Sequence, residues 1–162
     1  MKRLYILRNA HAAVGAIDRE RELDEQGVKE VESIAHQMIE NGMRPNVILT
    51  GSARRSVDAA KRIREIFGLL VNVIDIRDDI YNADIEKLME ILQQLPDEKN
   101  SVMLIGHSLG ASTLLSSLTN NEYGKLPTGS LVMVELRLRH WKDLSSNTGK
   151  ELLCLQPKLE SN

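Results

Sequence analysis

The sequence has little or none of several features that mark particular classes of protein. It contains a single cysteine, which excludes an intrachain disulfide and a cysteine-based zinc site. Aromatic residues make up only 3% of the chain, so the core must be built from aliphatic side chains. The net charge of −2 lacks the positive excess that is typical of nucleic-acid-binding proteins. No apolar run is long enough for a membrane span, and the run before Arg8 is too short for the core of a signal peptide.

These absences favour a soluble cytoplasmic protein without a nucleic-acid or membrane partner. The length of 162 residues suits one compact domain, and we expect residues 1–162 to form it. Apolar residues at 42% and charged residues at 27% are an ordinary balance for such a domain. The cysteine, Cys154, lies in an apolar run, which predicts a buried structural thiol.

Short apolar runs alternate with segments of helical periodicity along most of the chain. The apolar runs predict strands at residues 4–7, 47–50, 69–74 and 102–105. The helical spacing predicts a helix over residues 25–41, one that Ser52 caps and Gly68 ends, one around 85–95 and one containing 111–118. Near the end the period changes, which predicts a half-buried strand around 132–138 and a final strand at 152–155.

This alternation predicts a three-layer α/β/α fold with a mostly parallel central sheet and an antiparallel edge. In such sheets ligands bind beyond the carboxyl ends of the strands. The polar residues there include Arg8, Asn9, His11, Arg55, His107 and Ser108. A guanidinium group matches phosphate oxygens with two hydrogen bonds at once, and helix N-termini after Ser52 and Ser108 would add backbone donors. The sequence therefore predicts an anion site at this edge.

Several segments, taken in order, resemble the motifs of one known family. They are Leu4-Tyr5-Ile6-Leu7-Arg8-Asn9-Ala10, Arg21-Glu22-Leu23 with Gly27, Ser52-Ala53-Arg54-Arg55 with Ala60, Ile80-Tyr81-Asn82-Ala83, Gly106-His107, and Leu126-Pro127-Thr128-Gly129-Ser130. Together they resemble the histidine phosphatase superfamily, and most closely its small SixA-type phosphohistidine phosphatases. The resemblance spans nearly the whole chain and implies a phosphoglycerate-mutase-like fold.

In that family a histidine after the first arginine attacks phosphorus, while the arginines and a second histidine balance charge on the transferring oxygens. The resemblance implies that Arg8, Arg55 and His107 form the phosphate pocket, with Asn9 at the nucleophile's position. It implies hydrolysis of a phosphoryl group without a metal or a cofactor. The expected substrate is a phosphohistidine on a partner protein or a small phosphate ester, and the small size of the chain suits the protein substrate better.

Asn9 is the main departure from the family pattern. An amide nitrogen is not a nucleophile because its lone pair is delocalised into the carbonyl, but it can donate a hydrogen bond to phosphate. Three interpretations stay open: an engineered substitution, a natural and catalytically inactive module that binds phosphate or phosphohistidine, or transfer of the nucleophile's role to a neighbour. His11 is the candidate neighbour, and its alternative interpretation is a solvent-exposed loop histidine.

Two further residues have candidate roles at the same site. Protonation of the leaving group calls for a carboxyl, and Asp18 is the candidate, the alternative being a loop carboxylate with no special role. Arg21 either helps to bind substrate or pairs with nearby acids such as Glu22.

Residues 106–110 also match the Gly-x-Ser-x-Gly nucleophile elbow of α/β hydrolases. This pattern predicts a serine esterase with Ser108 as nucleophile, a distant alternative. The chain is short for that fold, it has no His-Gly-Gly stretch, and His140 is the only histidine after Ser108.

Overall fold

The computed structural model describes residues 1–159, and the expected single domain extends to residues 160–162, which lie outside this range. Six strands are described: β1 (Lys2–Arg8), β2 (Val47–Thr50), β3 (Ile74–Ile76), β4 (Ser101–Gly106), β5 (Leu131–Leu136) and β6 (Gly149–Leu155). They form one sheet in the order β3-β2-β4-β1-β5-β6. The first four strands in this order are parallel, and β5 is antiparallel to both of its neighbours.

Four helices cover the two faces of the sheet: α1 (Glu25–Glu40), α2 (Arg54–Phe67), α3 (Ile85–Gln93) and α4 (Ser108–Thr119). Successive side chains of a strand point to opposite faces. Tyr5 and Leu7 therefore pack with α1 and α2, whereas Leu4 and Ile6 pack with α3 and α4. The predicted three-layer α/β/α architecture with an antiparallel edge is confirmed. Among residues 1–159, no helix is long and apolar enough to cross a membrane.

Two predictions around α2 were wrong. Ser52 does not cap the helix: the N-cap residue is Ala53, and the Ser52 hydroxyl donates to Asp78 Oδ1 at 2.6 Å. The predicted strand at 69–74 is mostly a short 3₁₀ turn at Val71–Val73, and only its last residue belongs to β3. The reason is that β2 is only four residues long and pairs with Ile74–Ile76, which leaves Leu70 and Val71 exposed.

The last two strands also differ from the expectation. Val132, Met133 and Val134 of β5 are all buried, although the sequence predicted alternating burial. The reason is that β5 lies between β1 and β6 inside the sheet. Leu138 lies beyond the end of that strand. Cys154 is exposed, not buried. It lies on the edge strand β6, where Leu153 and Leu155 are the residues that pack against the core.

Candidate phosphoryl-binding site

The carboxyl ends of three parallel strands lie side by side and position the site. The register pairs Arg8 of β1 with Gly106 of β4, and Thr50 of β2 with Ile105 of β4. The residues that follow these strands therefore share one edge of the sheet. The backbone N–H of Asn9 donates to the carbonyl of Gly106 at 2.8 Å, which joins the first two of these segments directly.

An open depression occupies this edge. It is lined by Arg8, Asn9, Ala10, His11, Ala12, Arg21, Arg55, His107, Ser108 and Thr128. All the site residues predicted from the sequence except Asp18 line it. A narrower pocket shares Asn9, Arg55 and His107 with this depression and extends to Ser56 and Tyr81. The polar residues at the strand ends thus meet at one place, as the order of the strands requires.

The side chain of Asn9 is held in one orientation. The Ser56 hydroxyl donates to Asn9 Oδ1 at 2.7 Å. The backbone of Asn9 is anchored as well, because its carbonyl accepts from the N–H of Gly129 at 3.3 Å. With its oxygen engaged by Ser56, the amide has its NH₂ group left to donate. Asn9 therefore carries a hydrogen-bond donor at the lining of the depression.

Two guanidinium groups bring positive charge to the depression. Arg8 donates through Nη1 to the carbonyl of Leu126, and burial lowers its pKa from the ordinary value, while the nearby charge of Glu30 raises it. Arg55 is only 12% exposed and donates from Nη1 to the Asp18 carbonyl at 2.9 Å and from Nη2 to Asp18 Oδ2 at 3.1 Å. Arginine stays protonated in proteins, so both groups are available to balance an anion.

Asp18 lies beside the depression and is bound by three side chains. Its carboxylate accepts from the Tyr81 hydroxyl at 2.5 Å, from Arg55 and from Arg21 Nη1 at 3.3 Å. The Tyr81 hydrogen bond, followed by that of Arg55, lowers the pKa of Asp18 to about 2. These contacts favour the ionised carboxylate, and the role of Asp18 as general acid stays a prediction.

His107 is the N-cap residue of α4, one position before the helix start that was expected after Ser108. Its Nδ1 accepts from the N–H of Gly110 at 3.3 Å, and its Nε2 lies 3.4 Å from the carbonyl of Ala83. A Cβ at Gly110 would come within 2.9 Å of His107 Nε2, so the glycine makes room for the ring over the first turn. With Nδ1 as an acceptor, the ring N–H of this arrangement is at Nε2, which faces the Ala83 carbonyl.

His11 is anchored although its side chain is 46% exposed. Its Nδ1 is hydrogen-bonded to Asp24 Oδ2, and its backbone N–H donates to Glu30 Oε1 at 2.8 Å. Gly27 lies so close that an added Cβ would come within 1.9 Å of the His11 carbonyl oxygen. Within residues 1–159, His11 Nε2 makes no hydrogen bond. A carboxylate on one nitrogen orients an imidazole and leaves the other nitrogen for chemistry.

Sequence reasoning missed the residues that hold the site together. Glu30 is 4% exposed and accepts from Thr128 Oγ1 at 2.7 Å as well as from His11, so it joins two loops that line the depression. The available signal was a carboxylate beside Val31 on the inner face of α1. Tyr81 stood in one of the segments that resemble the family, but no role was assigned to it. Ser56 had no comparable signal, because its partner Asn9 is distant in the sequence.

The loop that carries Asp18 is tied down by a further arginine. Arg19 donates to Ser52 Oγ and to Asp78 Oδ1, and its guanidinium carbon lies 4.5 Å from the centre of the Tyr81 ring. The contacts of Arg19 and Asp18 therefore hold this loop against the segments that follow β2 and β3.

The residues of the alternative esterase motif do not come together. Ser108 follows the carboxyl end of β4, whereas His140 Nδ1 is 2.8 Å from Asp97 Oδ2. Asp97 also accepts from Lys2 at the start of β1, so the serine and the histidine are separated by the length of a seven-residue strand, about 20 Å. Within residues 1–159, no three His, Cys, Asp or Glu side chains are placed to hold a metal ion.

Comparisons with known proteins found solved structures that share this fold. No family model and no curated protein matches the chain in sequence. Among solved structures, the SixA protein of Agrobacterium tumefaciens, assigned as a phosphohistidine phosphatase, is 27% identical with a TM-score of 0.82, over 96% of this chain and 98% of that one. The protein histidine phosphatase SixA in complex with tungstate is 19% identical with a TM-score of 0.82, over 96% and 97%. A mycobacterial glucosyl-3-phosphoglycerate phosphatase shares the fold at 14% identity and a TM-score of 0.69, over 94% and 98%. The resemblance of this chain to the histidine phosphatase superfamily, and within it to the SixA type, is therefore confirmed.

Proposed function

We propose that residues 1–162 form one SixA-type domain that binds the phosphoryl group of a phosphohistidine on a partner protein, and that Asn9 prevents the covalent step of hydrolysis. The observation that carries the proposal is the convergence of Arg8, Asn9, Arg55 and His107 on one depression. One of the SixA structures is a complex with tungstate, an oxyanion similar in charge and shape to phosphate. This relative supports an oxyanion as the group that the site binds.

The chemistry of the site favours recognition over turnover. Two guanidinium groups and the Asn9 amide offer hydrogen-bond donors to phosphoryl oxygens, and both guanidinium groups oppose the negative charge. Hydrolysis through a phosphoenzyme needs a lone pair on the attacking nitrogen, which the Asn9 amide does not offer. Loss of a covalent nucleophile commonly reduces the rate by several orders of magnitude. Binding is therefore expected to persist where turnover does not.

The surroundings of the depression support a protein-borne phosphoryl group. The neighbouring groove shares Arg21 with the depression and is lined by Val14 and Ile17, both of which are exposed. On the other side, Leu109 follows Ser108 and is also exposed. Exposed apolar side chains that share a groove beside a polar site would add apolar contact area to a bound partner protein. A free phosphate ester would leave these side chains in water.

The test compares this chain with Asn9→His. Hydrolysis of a phosphohistidine peptide and of an aryl phosphate is measured for both, and phosphate binding is measured by calorimetry. We expect this chain to bind phosphate without turnover and Asn9→His to gain activity by orders of magnitude. If Asn9→His binds phosphate and stays inert, the site is a recognition module whose other groups no longer support hydrolysis.

Arginine variants test the assignment of the pocket. Arg8→Ala and Arg55→Ala are expected to abolish phosphate binding, because each removes a cationic donor from the depression. Arg62→Ala is the matched control: it lies on α2, as Arg55 does, but pairs with Glu32 and Glu65 at the surface. Phosphate binding that is unchanged in the Arg8 and Arg55 variants would refute the proposed site.

A second candidate function, hydrolysis through His11, is favoured by the bond between His11 Nδ1 and Asp24. In that reaction His11 Nε2 would form a bond to phosphorus while the bond to the substrate imidazole breaks, and the leaving imidazole would take a proton from water. Water would then release phosphate from His11. Turnover by the unmodified chain that is lost in His11→Gln but retained in His36→Gln, a change at an exposed histidine on α1, would establish it.

A further inference from the structure

We infer that Ser56 is a positioning residue of the proposed site: its hydroxyl turns the Asn9 amide so that the NH₂ group is presented to the phosphoryl oxygens. The inference rests on the proposed function and adds to it. The position that Asn9 occupies then carries an amide donor that the Ser56 hydroxyl holds in place for the phosphoryl group.

The geometry around Ser56 supports this role. Ser56 lies in the first turn of α2, next to Arg55, and is 3% exposed. Its hydroxyl has a single hydrogen, and that hydrogen is directed to Asn9 Oδ1 at 2.7 Å. Ser56, Arg55 and Asn9 also line the same narrow pocket. The hydroxyl is therefore buried at the site, and its hydrogen bond is made to the residue in the nucleophile's position.

The orientation of an amide decides whether it attracts or repels an anion. The terminal torsion of asparagine has two states related by a half-turn, which exchange the carbonyl oxygen and the NH₂ group. With the oxygen toward the depression, Asn9 would repel a phosphoryl group and would instead accept hydrogen bonds from the guanidinium groups. Within residues 1–159, neither Arg8 nor Arg55 donates to Asn9, and the oxygen is instead engaged by Ser56.

Removal of the Ser56 hydroxyl is expected to weaken the binding of inorganic phosphate. This effect should depend entirely on the presence of the Asn9 side chain. Without the hydroxyl, Asn9 Oδ1 loses its hydrogen-bond donor, and the amide becomes free to turn its oxygen toward Arg8 or Arg55 before phosphate binds. A net hydrogen bond corresponds to a factor of about five to ten in an equilibrium constant. We therefore expect Ser56→Ala to raise the dissociation constant for phosphate by about five- to tenfold.

A double-mutant cycle with inorganic phosphate as the probe tests the inference. Calorimetry is performed on the unmodified chain, Ser56→Ala, Asn9→Ala and the double variant. Ser56→Ala is expected to weaken binding in the Asn9 background and to have no effect in the Asn9→Ala background. Ser56→Thr, which keeps a hydroxyl, is expected to bind as the unmodified chain does. Ser112→Ala is the control, because it removes another buried hydroxyl, which is bonded to the Gly124 carbonyl at 2.9 Å.

The possible outcomes separate this inference from the proposed function. If the unmodified chain binds phosphate but Ser56→Ala has the same effect in both backgrounds, or none, the positioning role is refuted and the proposed function stands. If no variant binds phosphate, both are refuted. Should Ser56→Ala fail to fold, Ser56→Cys repeats the cycle, because a thiol has a similar shape but is a weak donor. In NMR spectra, the Asn9 NH₂ resonances should shift with phosphate in the unmodified chain.

Discussion

The ion pair between Asp18 and Arg55 predicts that a single carboxylate limits the affinity of the site for anions. Arg55 donates from Nη1 to the backbone carbonyl of Asp18 and from Nη2 to its carboxylate. A phosphoryl group that binds Arg55 must compete with that carboxylate or share the guanidinium with it. Asp18→Asn removes the negative charge and keeps the size of the side chain. We expect this variant to bind inorganic phosphate more tightly than the unmodified chain.

The magnitude follows from the contacts of Asp18. Its pKa falls from an ordinary 3.8 to about 2, chiefly through Tyr81 and then through Arg55. At about 1.4 kcal/mol for each pKa unit, this corresponds to roughly 2 kcal/mol in favour of the ionised form. The side chain of Asp18 is 49% exposed, so screening by solvent reduces the figure to about 1 kcal/mol or less. Tyr81 accounts for the largest part of this pKa shift, so only the remainder reflects the contact between Asp18 and Arg55. Loss of that contact is therefore expected to raise the phosphate affinity by about two- to fivefold.

The assay is a phosphate titration of the unmodified chain and of three variants at constant ionic strength. Asp58→Asn is the matched control, because it makes the same change of charge on α2 beside Arg54, outside the depression. Tyr81→Phe weakens the hold on the carboxylate but keeps its charge, so its effect should be smaller than that of Asp18→Asn. An equal gain in Asp58→Asn would attribute the effect to net charge.

The pH dependence gives an independent check on the same reasoning. A carboxyl with a lowered pKa makes its favourable contacts above its ordinary pKa and loses them only as the pH falls through the lowered value, here about 2. The affinity ratio between Asp18→Asn and the unmodified chain should therefore stay constant from about pH 5 to pH 9. Weaker binding by Asp18→Asn would refute the reasoning, since it would mean that Asp18 holds Arg55 in place for the anion.

Three other changes have definite expected outcomes. Gly27→Ala would place a Cβ within 1.9 Å of the His11 carbonyl oxygen, so we expect a large loss of stability in thermal denaturation, together with weaker phosphate binding. Asp24→Ala removes the side-chain cap of α1, a bond of 2.8 Å to the Gly27 N–H, and should cost about 1 kcal/mol in the free energy of unfolding. The hydrogen bond from the Gly27 N–H, and to a lesser degree that from His11, lowers the pKa of Asp24. The stability lost in Asp24→Ala should therefore shrink in acid, because the cap stops contributing as the pH falls through this lowered pKa. Cys154 should react with a thiol reagent in the native protein, because the residue is exposed. The reaction should be slow at neutral pH and faster as the pH rises, because partial desolvation of the thiol, and then the charge of Glu151, raise its pKa; a thiol that reacts only after unfolding would contradict the exposed position.

The position of the site was predictable from the sequence for a physical reason. Periodicity separates strands from helices, and strands joined by helices become parallel, so that their carboxyl ends share one edge. Arg8 and Asn9 directly follow one buried strand and His107 follows another, which was enough to place them together. The chemistry of these residue types then indicated an anion. That Asn9 stands where the family has a histidine is an interpretation that only the resemblance to that family offers.

The partners of these residues were decided by the tertiary structure. Asn9 and Ser56 are 47 positions apart in the sequence, and Arg55 and Asp18 are 37 apart. Which side chains meet over such distances depends on the path of the loops, and periodicity carries no information about that path. The exposure of Cys154 likewise depends on β6 being the edge strand, which is a property of the sheet as a whole. Local pattern determined which residues stand at the strand ends, while packing between distant segments determined how their hydrogen bonds and charges are used.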